Sequence, residues 1–321
     1  MDAPANSIEA DPAFLEDVLA GLSAPIPAVP ARWLYDRRGS ELFEKITELP
    51  EYYLTRTETA LLHRYSRSVA ELAGRGSAIV EFGSGSSAKT PILIDAVEPA
   101  AYVPIDISGE FLKASVAELK SQLPLLPIYP VEADFMKPLE LPQQVARLPK
   151  LGFFPGSTIG NMVARTAVDL LRAMKETLGQ GAFLLVGMDR IKDEEELLRA
   201  YDDTEGVTAE FNLNLLHRIN AELGGTIPVH AFRHRAVWND RFARVEMHLE
   251  ALNDVEFTVA DRRFAFGRGE SIHTENSHKY GPRDARLLLH AAGWGLVKEW
   301  TDPEDRFALL LVQAEPPRQA P

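Results

Sequence analysis

Ser77-Ala78-Ile79-Val80-Glu81-Phe82 runs straight into Gly83-Ser84-Gly85-Ser86-Ser87-Ala88, a short apolar segment that carries one acid and ends in a glycine turn. A doubly wound α/β domain opens a nucleotide site in this way, because glycines let the backbone approach a ligand closely. Pro91, tolerated in a helix's first turn, marks the next helix as starting just beyond. Gly83, Gly85 and Ala88 fit the spacing G-x-G-x-x-G/A, and Asp106 closes the next expected strand, 101–106. A carboxylate there can take ribose hydroxyls. An ordinary glycine turn would show the same residues.

Working outward, apolar segments at 77–82, 101–106, 127–132, 151–154 and 182–187 alternate with helical stretches. That rhythm predicts a parallel sheet with crossover helices. Residues 283–292 read as a helix stopped by Gly293, followed by strands at 295–301 and 306–313 joined by Asp302-Pro303-Glu304-Asp305. So short a turn joins only antiparallel neighbours, so the sheet should end in a hairpin. The glycine turn suits a dinucleotide dehydrogenase as well as an S-adenosylmethionine (SAM) methyltransferase; the hairpin ending resembles the class I methyltransferase fold more than a dehydrogenase.

Between Asp189 and Tyr280 the rhythm breaks. A long acidic helical region to about Leu223 precedes strand-like segments at 229–238, 241–252 and 257–266, and helices are expected earlier at 12–22 and 40–49. The expected division is an α+β substrate domain from residues 1–60 and 189–280, and a Rossmann-like domain from 61–188 and 281–321. Residues 316–321 read as a loose tail.

The chain has 321 residues, 45% hydrophobic and 25% charged, which suits a soluble globular protein with a sizeable core. A net charge of -13 opposes binding to nucleic acid or anionic membranes. With no cysteine there is no disulfide, thiolate nucleophile or Cys-ligated zinc. The first residues lack a basic region followed by an apolar core, and no apolar run approaches membrane-spanning length. The expectation is a cytoplasmic protein without a nucleic-acid or membrane partner, a monomer being favoured.

Three further segments offer chemistry. Phe153-Phe154-Pro155-Gly156-Ser157-Thr158-Ile159-Gly160-Asn161 follows the fourth strand, at the sheet edge where open α/β folds bind ligands, and Asn161 could hold a carboxylate; a plain proline-glycine turn is the simpler reading. Tyr52 and Tyr53 offer hydroxyls and π-faces, or half-buried packing. Within Ile272-His273-Thr274-Glu275-Asn276-Ser277-His278-Lys279-Tyr280, extended backbone would point Glu275 and Ser277 to one side, where an acid and a hydroxyl could grip both nitrogens of an imidazole; a solvated loop is the bland alternative. His230 with His234, and His273 with His278, lack a convergent third ligand, so no metal is expected.

In combination these segments resemble the L-histidine Nα-methyltransferase family, SAM-dependent enzymes that make trimethylhistidine (hercynine) on the ergothioneine pathway. The resemblance is carried by Tyr35-Asp36…Gly39-Ser40-Glu41-Leu42-Phe43, Leu49-Pro50-Glu51-Tyr52-Tyr53, Glu81-Phe82-Gly83-Ser84-Gly85…Lys89-Thr90, Phe154-Pro155-Gly156-Ser157-Thr158-Ile159-Gly160-Asn161 and Thr274-Glu275-Asn276-Ser277. Weaker matches are Ile105-Asp106, Ala133-Asp134-Phe135, Ala200-Tyr201-Asp202 and Val245-Glu246-Met247. The resemblance implies that Tyr52, Asn161 and Tyr201 hold the α-carboxylate end of histidine, that Glu275 and Ser277 recognise its imidazole, and that Gly156 lies near the reacting amine. It places Gly83, Gly85, Lys89, Asp106 and Asp134 around SAM, with Asp106 on the ribose and Asp134 near the adenine. Tyr35, Phe43 and Met247 would wall the pocket, and either solvent or a phenol such as Tyr35 could accept the amine's proton. Asn276 has no assigned role. Methylation of another amino acid such as tryptophan, an NAD-dependent dehydrogenase and a non-catalytic binding protein are the competing readings.

Overall fold

The computed structural model describes residues 11–85 and 87–316. Ser86 of the glycine turn, and the expected tail apart from Pro316, lie outside them. In chain order the helices are α1 (Pro12–Leu22), α2 (Arg37–Glu48), α3 (Tyr53–Ala73), α4 (Thr90–Val97), α5 (Gly109–Gln122), α6 (Ala164–Leu178), α7 (Glu194–Tyr201), α8 (Val207–Leu223) and α9 (Pro282–Ala291). The strands are β1 (Ala78–Phe82), β2 (Ala101–Asp106), β3 (Val131–Glu132), β4 (Lys150–Phe154), β5 (Phe183–Asp189), β6 (Phe232–Asn239), β7 (Arg244–Ala251), β8 (Val255–Val259), β9 (Arg262–Phe266), β10 (Ser271–His278), β11 (Trp294–Thr301) and β12 (Phe307–Ala314).

The described residues divide into two compact units. The first takes those up to Tyr52 with Glu194–Asn239 and Val245–Asn276; the second takes Tyr53–Asp193, Asp240–Arg244 and those from Ser277 onward. Residues 53–60 go with the second unit because they open the continuous helix α3.

In the second unit a seven-stranded sheet has the order β11-β12-β5-β4-β1-β2-β3. Strands β1 to β5 are parallel, while β12 runs antiparallel to β5 and to β11, the expected hairpin ending. All five residues of β1 are buried rather than alternate ones, as a parallel sheet covered on both faces requires. Val80, Phe82, Val103, Ile105, Leu184 and Val186 pack with Leu170, Leu171 and Met174 of α6 and Leu288 and Leu289 of α9 in one core. Because β1 pairs with β2 on one side and β4 on the other, the strand order reverses there, and the crevice beyond their carboxyl ends is where ligands bind in such sheets.

The third expected segment of this sheet, 127–132, is shorter than its sequence suggests. Only Val131–Glu132 forms a strand, with one isolated bridge at Ile128, because Pro127 and Pro130 have no N–H to give the ladder.

The first unit carries a three-stranded sheet, β10-β7-β6, and a separate hairpin of β8 and β9. The segment expected as one strand at 257–266 is in fact that hairpin, turned by Ala260-Asp261 with Ala260 at φ +48°. Helix α2 begins three residues before its expected start, because Asp36 caps it, accepting the Gly39 N–H at 2.7 Å. The acidic helical region splits into α7 and α8 at Asp203, whose carboxylate takes the N–H groups of Val207 and Thr208 at 2.9 and 2.7 Å.

Candidate functional site

In the second unit the backbone turns at the end of β1 through Gly83 (φ +71°) and Gly85 (φ +48°), conformations that L side chains rarely adopt. A Cβ on Gly85 would meet nothing within 4 Å, so the turn leaves open space beside it. Asp106, at the end of β2, accepts the Gly85 N–H on Oδ2 and the Ser108 N–H on Oδ1, both at 2.9 Å. The structure thus brings two of the expected cofactor positions into contact. Asp134 accepts the Met136 N–H at 2.9 Å, and the adjoining Phe135 packs edge-on against Phe82 and Phe154.

Lys89, at the head of α4, pairs with the fully buried Glu58 of α3. Glu58 also accepts the Gly156 N–H on both oxygens, at 3.0 and 2.9 Å. Gly187 lets it in, since a Cβ there would stand 2.1 Å from Glu58 Oε1. Sequence reasoning gave Glu58 no role, yet its spacing carried a signal. It shares the buried stripe of α3 with Leu54, Leu61 and Leu62, where an acid has a reason to be.

Beyond β4 the chain turns at Gly156 (φ +77°) and Ser157 (φ +57°). The strained Ser157 is held by its Oγ, which accepts the Asp189 N–H at 2.9 Å. Asn161, half-buried, ends the following turn, and that turn is fixed to the end of β10: His278 Nδ1 donates to the Gly160 carbonyl at 2.8 Å and Tyr280 to the Ile159 carbonyl at 3.2 Å. Ser277, one residue earlier on β10, is buried and accepts from Lys279 Nζ at 3.0 Å.

Glu81 sits in the middle of this unit, 2% exposed. It accepts from Tyr102 and from Thr90, the latter at 2.7 Å. Burial pushes its carboxyl up to about 7, against the lowering by those hydrogen bonds.

The first unit collects aromatic rings. Tyr35 meets Phe43 and Phe211 at 5.5 and 5.4 Å between ring centres, Phe43 meets Tyr52 at 6.2 Å, and Tyr52 meets Tyr201 at 6.1 Å. Four expected pocket residues therefore form one cluster, completed by Phe211, which in the sequence is only one more apolar residue of α8. Tyr35 donates to Glu275 Oε2 over a long 3.4 Å. Burial first, then the Glu275 charge, raises the Tyr35 hydroxyl well above the ordinary phenol range.

Met247 is buried, and its carbonyl accepts from Thr274 at 3.1 Å. Thr274 also donates to Asn212, which donates to His234 Nδ1, whose Nε2 in turn donates to the Tyr201 carbonyl at 2.8 Å. His234 is a core histidine with both ring nitrogens engaged. A different trio comes together instead: Glu246, His248 and His273 place their donor atoms within 4.8 Å of one another. His248 contacts Glu246 at 3.1 Å, and His273 donates to the Glu275 carbonyl at 3.0 Å. Asn276 Oδ1 is buried without a partner, and nothing in the structure explains it.

Among the described residues no helix is long and apolar enough to cross a membrane. The model of the SAM-dependent histidine-specific methyltransferase family matches residues 14–314. The chain is 40% identical to histidine N-alpha-methyltransferase of Mycolicibacterium smegmatis, over 96% of this chain and 98% of that one, and 39% identical to the enzyme of the same name from Mycobacterium tuberculosis, over 94% of each. It is 31% identical to ergothioneine biosynthesis protein 1 of Neurospora crassa, matching 89% of this chain and 33% of that longer protein.

Proposed function

This chain belongs to the SAM-dependent histidine-specific methyltransferases, and on that premise we propose that it methylates the α-amine of L-histidine in successive steps to trimethylhistidine (hercynine). The observation that carries this is the likeness to the two mycobacterial enzymes along nearly the whole of each chain. The match spans both units, so it leaves no room for a dehydrogenase built on the same glycine turn.

SAM supplies a methyl group already activated on a sulfonium. The residues of the second unit fit it: a turn without side chains at Gly83 and Gly85, and an acid, Asp106, pinned beside that turn for the ribose hydroxyls. In this reading Lys89 and Asp134 complete the set, Asp134 near the adenine. Glu275 and Ser277 grip the imidazole, Tyr52, Asn161 and Tyr201 hold the α-carboxylate, and Gly156 borders the amine through its backbone. Tyr35, Phe43 and Met247 wall the pocket.

The protein's main tasks are to align a neutral amine with the methyl group and to exclude water. The raised Tyr35 hydroxyl disfavours a standing phenolate. Tyr35 therefore takes the amine's proton only while passing its own onward, with Glu275 Oε2 as the neighbour that receives it. As methyl groups accumulate the amine becomes a quaternary cation that no longer donates hydrogen bonds, and the faces of Tyr35, Phe43 and Tyr52 suit it through cation–π attraction. No step calls on a metal. A monomer in the cytoplasm, with no nucleic-acid partner, is the setting that suits this small-molecule reaction and the acidic, cysteine-free chain.

The test is mass spectrometry of the purified protein with SAM and an equimolar mixture of amino acids. Histidine gaining three methyl groups supports the reading. Methylation of tryptophan or another amino acid instead overturns the imidazole assignment and keeps the cofactor.

A further inference from the structure

Val80, Phe82, Val103 and Ile105 face one core of the seven-stranded sheet, so by alternation Glu81 and Tyr102 point to its other face. There Glu81 Oε2 accepts from the Tyr102 hydroxyl and, at 2.7 Å, from the hydroxyl of Thr90 at the head of α4. The Tyr102 oxygen also lies 3.0 Å from Ser87 Oγ. Glu81, Tyr102, Ser87 and Thr90 are all buried.

Ser87 belongs to the glycine turn after β1 and stands at φ +53°, in the left-handed region where a side chain is strained. Its N–H goes to the Ser84 carbonyl at 2.7 Å, and its own carbonyl takes the Thr90 N–H at 3.1 Å. Such a conformation persists only where its surroundings over-determine it, and Tyr102 reaches it from β2. The protons set the direction of that contact. Burial first, then the Glu81 charge, holds the Tyr102 hydroxyl well above the ordinary phenol range, so Tyr102 keeps its one proton and gives it to Glu81. Its oxygen is left to accept from Ser87; the Ser84 carbonyl, the alternative for Ser87 Oγ, stands farther off at 3.4 Å. An ionised Glu81 enforces this order, since a carboxylate only accepts. A protonated one can donate, which lets the Tyr102 proton turn toward Ser87.

We propose that Tyr102 is a positioning residue for SAM: it holds Ser87, and with it the glycine turn, in the shape that receives the cofactor, and an ionised Glu81 keeps it to that task. This rests on the placement of SAM at the turn made above. Lys89 at the head of α4 favours ionisation of Glu81 and Asp106 of β2 opposes it, while Glu58 of α3 pairs with Lys89. With the Glu81 carboxyl at about 7, the hold strengthens as pH rises through that value.

The experiment measures SAM affinity by calorimetry at about pH 6 and about pH 8, and urea stability of the free protein, for the parent, Tyr102→Phe, Ser87→Ala, Glu81→Gln, Asp106→Ala and Tyr102→Phe combined with Ser87→Gly. Tyr102→Phe and Ser87→Ala are each expected to weaken SAM binding by about 10-fold at the higher pH. Glycine takes the left-handed conformation without strain, so adding Ser87→Gly should recover about 3-fold or more of what Tyr102→Phe loses. Glu81→Gln should match the parent at about pH 6 and bind SAM about 3-fold or more weaker at about pH 8, although it is the more stable protein there. A role in packing alone would move stability and affinity in the same direction. Unchanged affinity in Tyr102→Phe, or a loss that Ser87→Gly does not recover, would overturn the proposal. A Glu81→Gln that binds SAM as tightly as the parent at both pH values would overturn the part given to Glu81. Should Tyr102→Phe fail to fold, Ser87→Ala reads the same contact, and unchanged affinity there would overturn the proposal equally. Asp106→Ala is the separate check on the cofactor's place: unchanged affinity in that variant would sink the placement of SAM at this turn and the proposal with it, whereas a loss there beside none in Tyr102→Phe sinks the proposal alone.

Discussion

Glu58 on α3 holds the backbone N–H of Gly156 with both carboxylate oxygens, across 98 positions of sequence, and the same carboxylate pairs with Lys89. One buried acid thus ties the residue expected beside the reacting amine to a residue expected at the cofactor.

Glu58→Ala should therefore weaken SAM binding by about 10-fold or more, the cost of stranding a cation and an N–H together. Glu58→Gln keeps an acceptor for Gly156 but no charge for Lys89, and should fall between parent and Ala. Calorimetry with SAM and with S-adenosylhomocysteine checks this; unchanged affinity in Glu58→Ala would remove the tie.

Glu81 makes stability depend on pH. Its carboxyl stands near 7 in the folded protein against 4.5 for the free group, so the folded state keeps a proton that the unfolded chain has released. The favourable contribution is complete below pH 4.5 and is lost as pH rises through about 7, a swing of roughly 3 kcal/mol. Glu81→Gln cannot ionise, so it should flatten this part of the stability curve and gain on the parent between pH 5 and 8. Urea titrations across that range measure it, and parallel curves for the two proteins would contradict the argument.

For Glu275 the expected loss is in histidine recognition. Glu275→Ala should lower kcat/KM for histidine by about 10- to 100-fold while SAM affinity holds, because a charge-assisted hydrogen bond to the ring is gone. Equal turnover by variant and parent at low histidine would end the assignment.

The Tyr35 hydroxyl is the remaining question of chemistry. Tyr35→Phe retains the ring and its contacts with Phe43 and Phe211 but cannot pass a proton. Turnover should drop by about 10-fold or more, in the range of general acid–base effects, with little change in the histidine KM. Single-turnover rates over the first and second methylations measure it, and unchanged rates would leave solvent as the proton acceptor.

What the sequence made legible was set by local rules. The parallel strands showed because apolar runs bounded by glycine and proline read the same alone as in the sheet, and the terminal hairpin because its loop is too short for anything else. At 257–266 the rule failed, since Ala260-Asp261 has none of the usual glycine or asparagine of a tight turn. The glycine turn and Asp106 were readable by spacing. The burial of Glu58 showed in its spacing on α3, but its partners, like those of Phe211, did not, because they lie far along the chain. His234 shows the reverse case: its partners Asn212 and Tyr201 turn a tempting ligand into part of the core.

The proline-shortened strand β3 has a consequence for assembly. It is one border of the seven-stranded sheet, and a border two residues long offers almost no unpaired ladder to a second chain. The opposite border, β11, has an irregularity between Leu296 and Lys298 and an exposed lysine at that point. A border two residues long and a border with a bulge beside an exposed lysine are both features that disfavour strand addition.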